Sequence, residues 1–460
     1  MFERVSQDRI TVQFGGAEAG TGPLTWGQKA IWQDMLDSGH QFTMDGMARL
    51  PFGSTVEDAA ARLAALTGRH AALRMRLGTG SAGRPHQEVA GSGEIGLDIA
   101  TIPDDADQAD VTRYAEHLRV TQRLVRFDFQ RDWPLRMTLL RHRGVCRYLV
   151  WTLSHLAADG GAHLLFADDL MTAGPDTQPR RPHILDIARS EQEPASRQLG
   201  RRALRHWESA LSQIPVQTFG EPARPRNGAE PRYWQARFSS PAAHLAMLAI
   251  ARRTGTDASR VTLAMIATAI ARTTGVHPLT IKVMVNNRFR PGLADVIAPV
   301  AQNAVVTLDL NGASADEAVA RTRGALMTAS MRAYYDPDEL SEVTARLDAA
   351  RGYPASVTCR VNDQRAMTMR SDGDGDPGEV TPERIRRRLG DTSLDWLGRR
   401  DNMHEQVNLL VENVPGAVSL HMMWDRWSLS DRQVEAILRA VEEVAVQAVC
   451  GAARPTSRSR

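Results

Sequence analysis

The stretch TLSHLAADGGAH, residues 152–163, ends an apolar run with a histidine, an aspartate and two glycines in fixed spacing. The run before it, CRYLVWTLSH, has the length and apolar character of a buried β-strand. The strand would therefore end at the histidine, and a loop would follow. A side chain at such a junction is held in position by the strand while it faces a cleft. The stretch predicts a functional loop.

The residues of this loop suit proton transfer. His155 can take up and release a proton near neutral pH, as imidazole does in many catalytic sites. Asp159, four residues later, would hold the loop through an arginine partner. Gly160 and Gly161 would permit a tight backbone before the next helix. The alternative is a surface loop that happens to carry a histidine, which is the usual meaning of one match to so short a pattern.

Composition sets the broad class of the protein. A chain of 460 residues is longer than a single core usually supports, so two lobes are expected. The apolar content of 42% and the charged content of 24% are those of an ordinary globular protein. A net charge of +2 gives no basic surface for nucleic acid.

The cysteines and the N-terminal segment indicate a cytoplasmic protein. Cys146, Cys359 and Cys450 are far apart and odd in number, so they predict neither a disulfide framework nor a zinc site. The first residues lack the apolar core of a signal peptide, and no apolar stretch is long enough to span a membrane. We therefore expect a cytoplasmic location.

Hydrophobic periodicity predicts helices and strands that are mixed without strict alternation, which favours two α/β lobes with mixed sheets. Residues 1–175 would form the N-terminal lobe, 176–200 a crossover linker rich in Pro, Gly and charge, 201–450 the C-terminal lobe and 451–460 a disordered tail. Helices are predicted within 23–36, 55–68, 202–211, 259–275 and 430–449, and strands within 9–14, 72–77, 134–142, 146–155, 279–289 and 302–310.

The loop resembles the H-H-x-x-x-D-G motif of condensation domains from nonribosomal peptide synthetases. Further similarities follow in that family's order, from about residue 10 to residue 449. They are LTWGQKAIW at 24–32, RHAALRMRL at 69–77, FDFQRDWPLRMTLL at 127–140, RRALRHWESAL at 201–211, VNNRFRPG at 285–292, IAPVAQNAVVTLDL at 297–310, RRDNMHEQVNLLVENV at 399–414 and LHMMWDRWSLSDRQVEAIL at 420–438.

This resemblance implies two chloramphenicol-acetyltransferase-like lobes that form a V-shaped pseudo-dimer, with an active-site tunnel between them. It implies that His155 is the central residue, either a general base toward the attacking amine or the group that positions it. Asp159 would pair with an arginine, for which Arg288 is the first candidate and Arg290 the second. The backbone N–H of Gly160 would help to stabilise the oxyanion.

One position departs from the family's pattern. The first histidine of the motif is Ser154 here, although H-x-x-x-D-G remains. Simpler acyltransferases of the same fold keep only that shorter motif, so the minimal machinery is present. Ser154 nevertheless keeps open an unusual nucleophile or donor, and a relative without catalytic activity.

The resemblance implies a stand-alone, amide-forming condensation enzyme of natural-product biosynthesis. An acyl or aminoacyl group would arrive as a thioester on the phosphopantetheine arm of a separate acyl or peptidyl carrier protein. The acceptor would be a small amine. We expect no bound cofactor, no metal and no membrane or nucleic-acid partner, and a monomer would suffice. The alternatives are an ester-forming or CoA-dependent acyltransferase, which would take an alcohol as acceptor, and a silent module that recruits other enzymes.

Overall fold

A computed structural model describes residues 4–16, 18–80, 83–172, 182–216, 218–219, 232–365, 378–400, 403 and 405–451. Its contacts divide the chain into two compact units. The first comprises Met1–Gln198 and Asn286–Gln302, and the second comprises Leu199–Val285 and Asn303–Arg460. The chain therefore returns to the first unit for residues 286–302, a segment that the sequence prediction assigned to the C-terminal lobe.

The first unit holds a five-stranded sheet in the order β1-β6-β7-β8-β3 and a three-stranded sheet in the order β2-β5-β4. The larger sheet is mixed, because β6 and β7 are parallel while its other neighbours are antiparallel. The strands are β1 Ser6–Gly15, β2 Gly20–Pro23, β3 Thr43–Arg49, β4 Met75–Thr79, β5 Pro85–Val89, β6 Ser92–Ile102, β7 Leu135–His142 and β8 Val145–Ser154. The helices are α1 Trp26–Ser38, α2 Val56–Arg69, α3 Gln108–Gln122, α4 Gly160–Thr172 and α5 Ile184–Glu191, followed by α6 Pro194–Leu211, which continues into the second unit.

Strand β8 is buried on both faces of the larger sheet, which explains why its sequence is almost continuously apolar. On one face, Val150 packs with Val111 and Tyr114 of α3. On the other face, the ring of Trp151 lies 5.8 Å from that of Phe166 in α4. Helices on both sides therefore fix the strand that ends at the H-x-x-x-D-G loop.

The second unit is built on a seven-stranded mixed sheet in the order β11-β10-β12-β14-β15-β9-β13. Helix α8 is buried from Val261 to Ala271, and it forms one core cluster with α7, α12 and the apolar face of this sheet. The strands are β9 Tyr233–Ser240, β10 Leu279–Val285, β11 Gln302–Leu308, β12 Cys359–Asp363, β13 Ser393–Arg400, β14 Val407–Val414 and β15 Ala417–Asp425. The helices are α7 Pro241–Thr254, α8 Ala258–Thr274, α9 Ala315–Met331, α10 Pro337–Arg351, α11 Pro382–Arg387 and α12 Asp431–Cys450.

The mixed α/β class is confirmed, and two local predictions need correction. The strand predicted at 72–77 begins only at Met75, because Ala71–Arg74 forms a 3-10 turn that directs the buried Arg74 guanidinium to the carbonyl oxygen of Glu18 at 2.6 Å. The predicted linker contains α5 and the start of α6, since apolar side chains on these helices are buried. Its part at 176–181 and the tail at 452–460 lie outside the described residues.

No helix in the described part of the chain combines the length and the apolar character needed to cross a membrane.

Candidate active site

The predicted functional loop begins where β8 ends, and both neighbouring strands fix its first residues. The N–H of Ser154 donates to the carbonyl oxygen of Pro134, next to β7, at 2.9 Å. The N–H of His155 donates to the carbonyl oxygen of Phe42, next to β3, also at 2.9 Å. The imidazole ring of His155 meets the Phe42 ring edge-on, with 6.5 Å between centroids. The histidine is therefore positioned by the sheet itself.

The environment of His155 favours the neutral imidazole. Burial lowers the pKa of His155, and this effect outweighs the nearby carbonyl groups of His155 and Ala158 and the carboxylates of Asp159 and Asp34, which raise it. Within the described residues, Nδ1 is buried without a hydrogen-bond partner, and the residue as a whole is partly exposed. A neutral imidazole in a partly exposed residue can accept a proton at neutral pH.

Asp159 is turned into the protein and caps α4. Its Oδ1 accepts a hydrogen bond from the N–H of Ala162 at 2.7 Å, which is the contact of an N-cap residue. Its Oδ2 accepts from the N–H groups of Val300 and Ala301, at 2.8 and 2.9 Å. The carboxylate therefore attaches the returning segment 286–302 to the N-terminus of α4, directly after the loop that carries His155.

Of the two arginines that the sequence proposed as partners, Arg288 pairs with Asp159. Its Nη2 donates to Oδ1 of Asp159 at 2.6 Å. The same guanidinium donates to the carbonyl oxygens of Val296 and Ala298, at 2.8 and 3.2 Å, so it also closes the turn of its own segment. Arg290 instead donates through Nε to the side-chain oxygen of Asn287, at 3.0 Å.

Asn287 supports this segment, although the sequence analysis did not select it. Its backbone has a φ of 55°, a left-handed conformation that asparagine adopts more readily than most residues. Its Nδ2 donates to the carbonyl oxygen of Val300 at 3.0 Å, and its side chain is fully buried. An asparagine pair between a buried strand and the arginine in VNNRF was the signal that could have identified it.

The glycines act differently from the prediction. Neither Gly160 nor Gly161 has a positive φ, so the loop does not need their backbone freedom. A Cβ at Gly161 would overlap the Nε of Arg288, which shows that this glycine leaves room for the guanidinium. Gly27 in α1 has the same function, because a Cβ there would overlap the carbonyl oxygen of Pro299. Two glycines in two helices therefore accommodate segment 286–302.

Gly160 is the first residue of α4. The N–H groups of a first helical turn have no acceptor within the helix, and they form the positive end of its dipole. Its N–H therefore belongs to a group of donors that can stabilise negative charge close to the loop.

Ser154, at the position of the family's first histidine, is a structural residue of the loop. It is fully buried, and its Oγ accepts a hydrogen bond from the N–H of Leu156 at 3.3 Å. Gln28 also binds Leu156, because its Nε2 donates to the carbonyl oxygen of Leu156 at 3.2 Å. Gln28 also forms a capping box with Thr25, and this T-x-x-Q pattern was visible in the sequence although the analysis did not use it.

In the described residues, no three His, Cys, Asp or Glu side chains are grouped so that they could hold a metal ion. The residues of the loop suit acid–base chemistry, with an imidazole whose pKa is lowered shortly before the first turn of α4. Asp159 and Arg288 lie behind the loop and maintain its shape, since both oxygens of the carboxylate already accept hydrogen bonds.

Comparisons with known proteins show what the chain is similar to. A curated relative from Salinispora arenicola (strain CNS-205), "Probable non-canonical nonribosomal peptide synthetase (NRPS) CymA", is 24% identical over 309 residues, which are 63% of this chain. The matched part spans only 4% of that relative's length.

Among solved structures, the condensation domain for chain release from the enacyloxin polyketide synthase aligns with a TM-score of 0.72 and 17% identity, over 97% of this chain and 86% of that chain. The X-domain from teicoplanin biosynthesis aligns with a TM-score of 0.66 and 19% identity, over 95% of this chain and 96% of that chain. At these identities the structures show a shared fold. A family model described as "Condensation domain" matches residues 18–352, well over half of the sequence, and the chain therefore belongs to the condensation domain family.

Proposed function

We propose that the protein forms an amide bond, by transfer of an acyl or aminoacyl group from a carrier-protein thioester to a small amine. The observation that carries this proposal is the state of His155, a partly exposed residue fixed at the end of β8, in which burial lowers the pKa of the imidazole. Such a ring can take the proton that an amine must lose when it attacks a thioester. Family membership supports the same class of reaction.

The proposed reaction has two steps. The amine nitrogen attacks the thioester carbonyl carbon while Nε2 of His155 accepts a proton from that nitrogen, and a tetrahedral oxyanion forms. The backbone N–H of Gly160, in the first turn of α4, supplies a dipole that favours this negative charge. The intermediate then collapses, the C–S bond breaks, and the proton passes to the leaving thiolate. The products are an amide, a free phosphopantetheine thiol and a neutral His155.

In this mechanism Asp159 and Arg288 are positioning residues. They touch no reacting atom, and they keep the loop and the start of α4 in one arrangement. The protein itself needs no bound cofactor for these steps, because the reactive thioester arrives on the phosphopantetheine arm of the carrier protein. An alcohol can replace the amine in the same scheme and give an ester, since the histidine would accept a hydroxyl proton equally.

Intact-protein mass spectrometry tests the proposal. Acyl-loaded carrier proteins are mixed with the protein and with matched pairs of amines and alcohols. We expect the carrier to lose the acyl mass only when an amine is present, with a new amide of the corresponding mass. His155→Ala should reduce this rate at least about a hundredfold, in the range that general acid–base groups contribute. His117→Ala, which changes an exposed histidine on α3, should leave the rate unchanged.

Other outcomes identify the alternatives. An ester formed in preference to the amide would indicate an alcohol acceptor, and transfer from acyl-CoA alone would indicate a CoA-dependent enzyme. Carrier proteins that bind but keep their acyl group with every acceptor would indicate a silent recruiting module. Equal rates for wild type and a folded His155→Ala variant would refute the catalytic assignment.

A further inference from the structure

Helix α6 has one apolar and one basic face. Its buried residues include Leu204 and Trp207, which pack in a cluster with Tyr335 and Val343. Its opposite side exposes a set of arginines at helical spacing. These residues, which we call the basic face of α6, are Arg197, Arg201, Arg202 and Arg205.

Two acidic residues flank the basic face, Glu193 four residues before Arg197 and Glu208 three residues after Arg205. Glu208 is an acidic residue on the same side of the helix, but its carboxylate accepts from Arg346 of α10 at 2.9 Å. Arg197 donates to the side-chain oxygen of Gln192 at 2.8 Å, which is a neutral group. Across the described residues, no ion pair and no hydrogen bond from a side chain of Arg201 or Arg205 is present. The positive charge is therefore left for solvent or for a partner.

This arrangement is unfavourable for the helix alone. Arg197, Arg201 and Arg205 are spaced four residues apart, and like charges at this spacing destabilise a helix by roughly 0.2–0.5 kcal/mol per pair. The first turn of α6 has no acidic residue, whereas the first turns of α2, α9 and α10 have two each. Residues that oppose local stability without compensation in the same chain are typical of functional surfaces.

The face also offers an apolar contact. Leu199 lies on the exposed side of α6 and is 45% exposed. Leu199 lies three residues before Arg202 and therefore beside it, at the edge of the basic face. Arginine is enriched at protein interfaces, where an apolar contact excludes water. Nucleic acid would require a broader basic surface than one helix face on a chain of net charge +2.

We propose that the basic face of α6 docks an acidic surface of the carrier protein that delivers the thioester. The inference rests on the proposed function, because it assigns a place to the partner which that function requires. Opposite charges would increase the rate of encounter and orient the carrier, while Leu199 contributes a contact once water is excluded. The carrier should therefore bind more weakly as ionic strength rises.

The test reverses two charges and separates docking from chemistry. The variant is Arg201→Glu/Arg205→Glu, and the matched control is Arg272→Glu/Arg432→Glu, which makes the same charge change at exposed positions on α8 and α12. Binding of a phosphopantetheinylated, acyl-loaded acidic carrier protein is measured by fluorescence anisotropy. Turnover is measured with that carrier and with the same acyl group as a small pantetheine thioester, which needs no docking surface.

We expect the Arg201/Arg205 variant to bind the carrier at least about tenfold more weakly, with a flatter salt dependence. Its turnover of the small thioester should stay within about twofold of wild type. Its melting temperature should be nearly unchanged, because the pairs with Arg197 and Arg202 become attractive while the two substituted positions still repel each other. A purely structural role would instead lower the melting temperature and reduce turnover of both donors.

Carrier binding equal to that of the control variant would overturn the proposal, and so would an equal loss with both donors. The binding measurement does not depend on turnover. If wild type bound the carrier through α6 but transferred no acyl group from either donor, the docking proposal would be supported and the proposed reaction would be refuted.

Discussion

Replacement of Arg288 by methionine tests whether the Asp159–Arg288 pair holds segment 286–302. Methionine keeps much of the side-chain volume and removes the guanidinium, including an Nε that is buried without a partner in the described residues. Asp159 is only 2% exposed, so its carboxylate depends on the protein for hydrogen bonds. The variant therefore removes a charge-assisted bond from a buried anion.

The expected magnitude follows from the donors that remain. Removal of one partner of a buried ion pair usually lowers the free energy of unfolding by about 3–5 kcal/mol. Here the carboxylate retains the N–H groups of Ala162, Val300 and Ala301. The loss should therefore be close to that of one charge-assisted hydrogen bond, about 2–3 kcal/mol.

Hydrogen exchange measured by mass spectrometry is the assay, because it reports local opening in a protein of two units. A loss of this size should accelerate exchange in residues 286–302 and in the first turn of α4 by roughly 30- to 140-fold, since 1.4 kcal/mol corresponds to tenfold. Asp159→Asn and the double variant complete a cycle in which the two effects should be strongly non-additive. Acceleration below about threefold, or additive effects, would refute the view that this pair closes the site.

Two further predictions concern the same region. Gly161→Ala should displace the Arg288 guanidinium and lower both the melting temperature and the steady-state turnover. Gly324→Ala in α9, where a Cβ meets nothing within 4 Å, should instead stabilise the protein by about 0.5–1 kcal/mol. Equal effects at both glycines would contradict the packing argument. Because the pKa of His155 is lowered, a reaction that needs the neutral ring should keep its full kcat/KM at pH 7 and lose it only as pH falls below 6.5, the ordinary histidine value. The free energy of unfolding should depend on pH in the same direction, because the unfolded chain binds a proton at His155 more readily than the folded protein does. The contribution of His155 to stability is therefore present above pH 6.5 and is lost as pH falls. A kcat/KM that still rises steeply above pH 7 would show that another group controls the reaction.

The sequence predicted the local features of the candidate site well. His155 lies at the end of the predicted strand, and Arg288 pairs with Asp159. The end of the strand was encoded by neighbouring residues, whereas the pairing of Arg288 with Asp159, 129 positions apart, was implied by the family resemblance. The roles of these residues in catalysis stay predictions.

The non-local features were not predictable from periodicity. Gln28 reaches Leu156 across 128 positions, and nothing in the local pattern of either segment indicates that contact. The function of Gly161 became clear only from the side chain that occupies the space beside it. Helix α5 and the first part of α6, before residue 202, were missed because abundant proline and charge in their region obscured a narrow apolar stripe.

The partners of Asp159 have a consequence for the order in which the site is completed during synthesis. Val300, whose N–H binds the carboxylate, is translated 141 residues after Asp159. At about 5–20 residues per second, a ribosome needs roughly 7–28 s to cover that distance. Throughout this interval β8 and α4 exist without the segment that joins them, so the nascent first unit carries its histidine on an unclosed loop. Completion of the candidate site is thereby coupled to translation of residues 199–285 of the second unit, and chains that stop before Val300 would lack two of the N–H groups that bind Asp159.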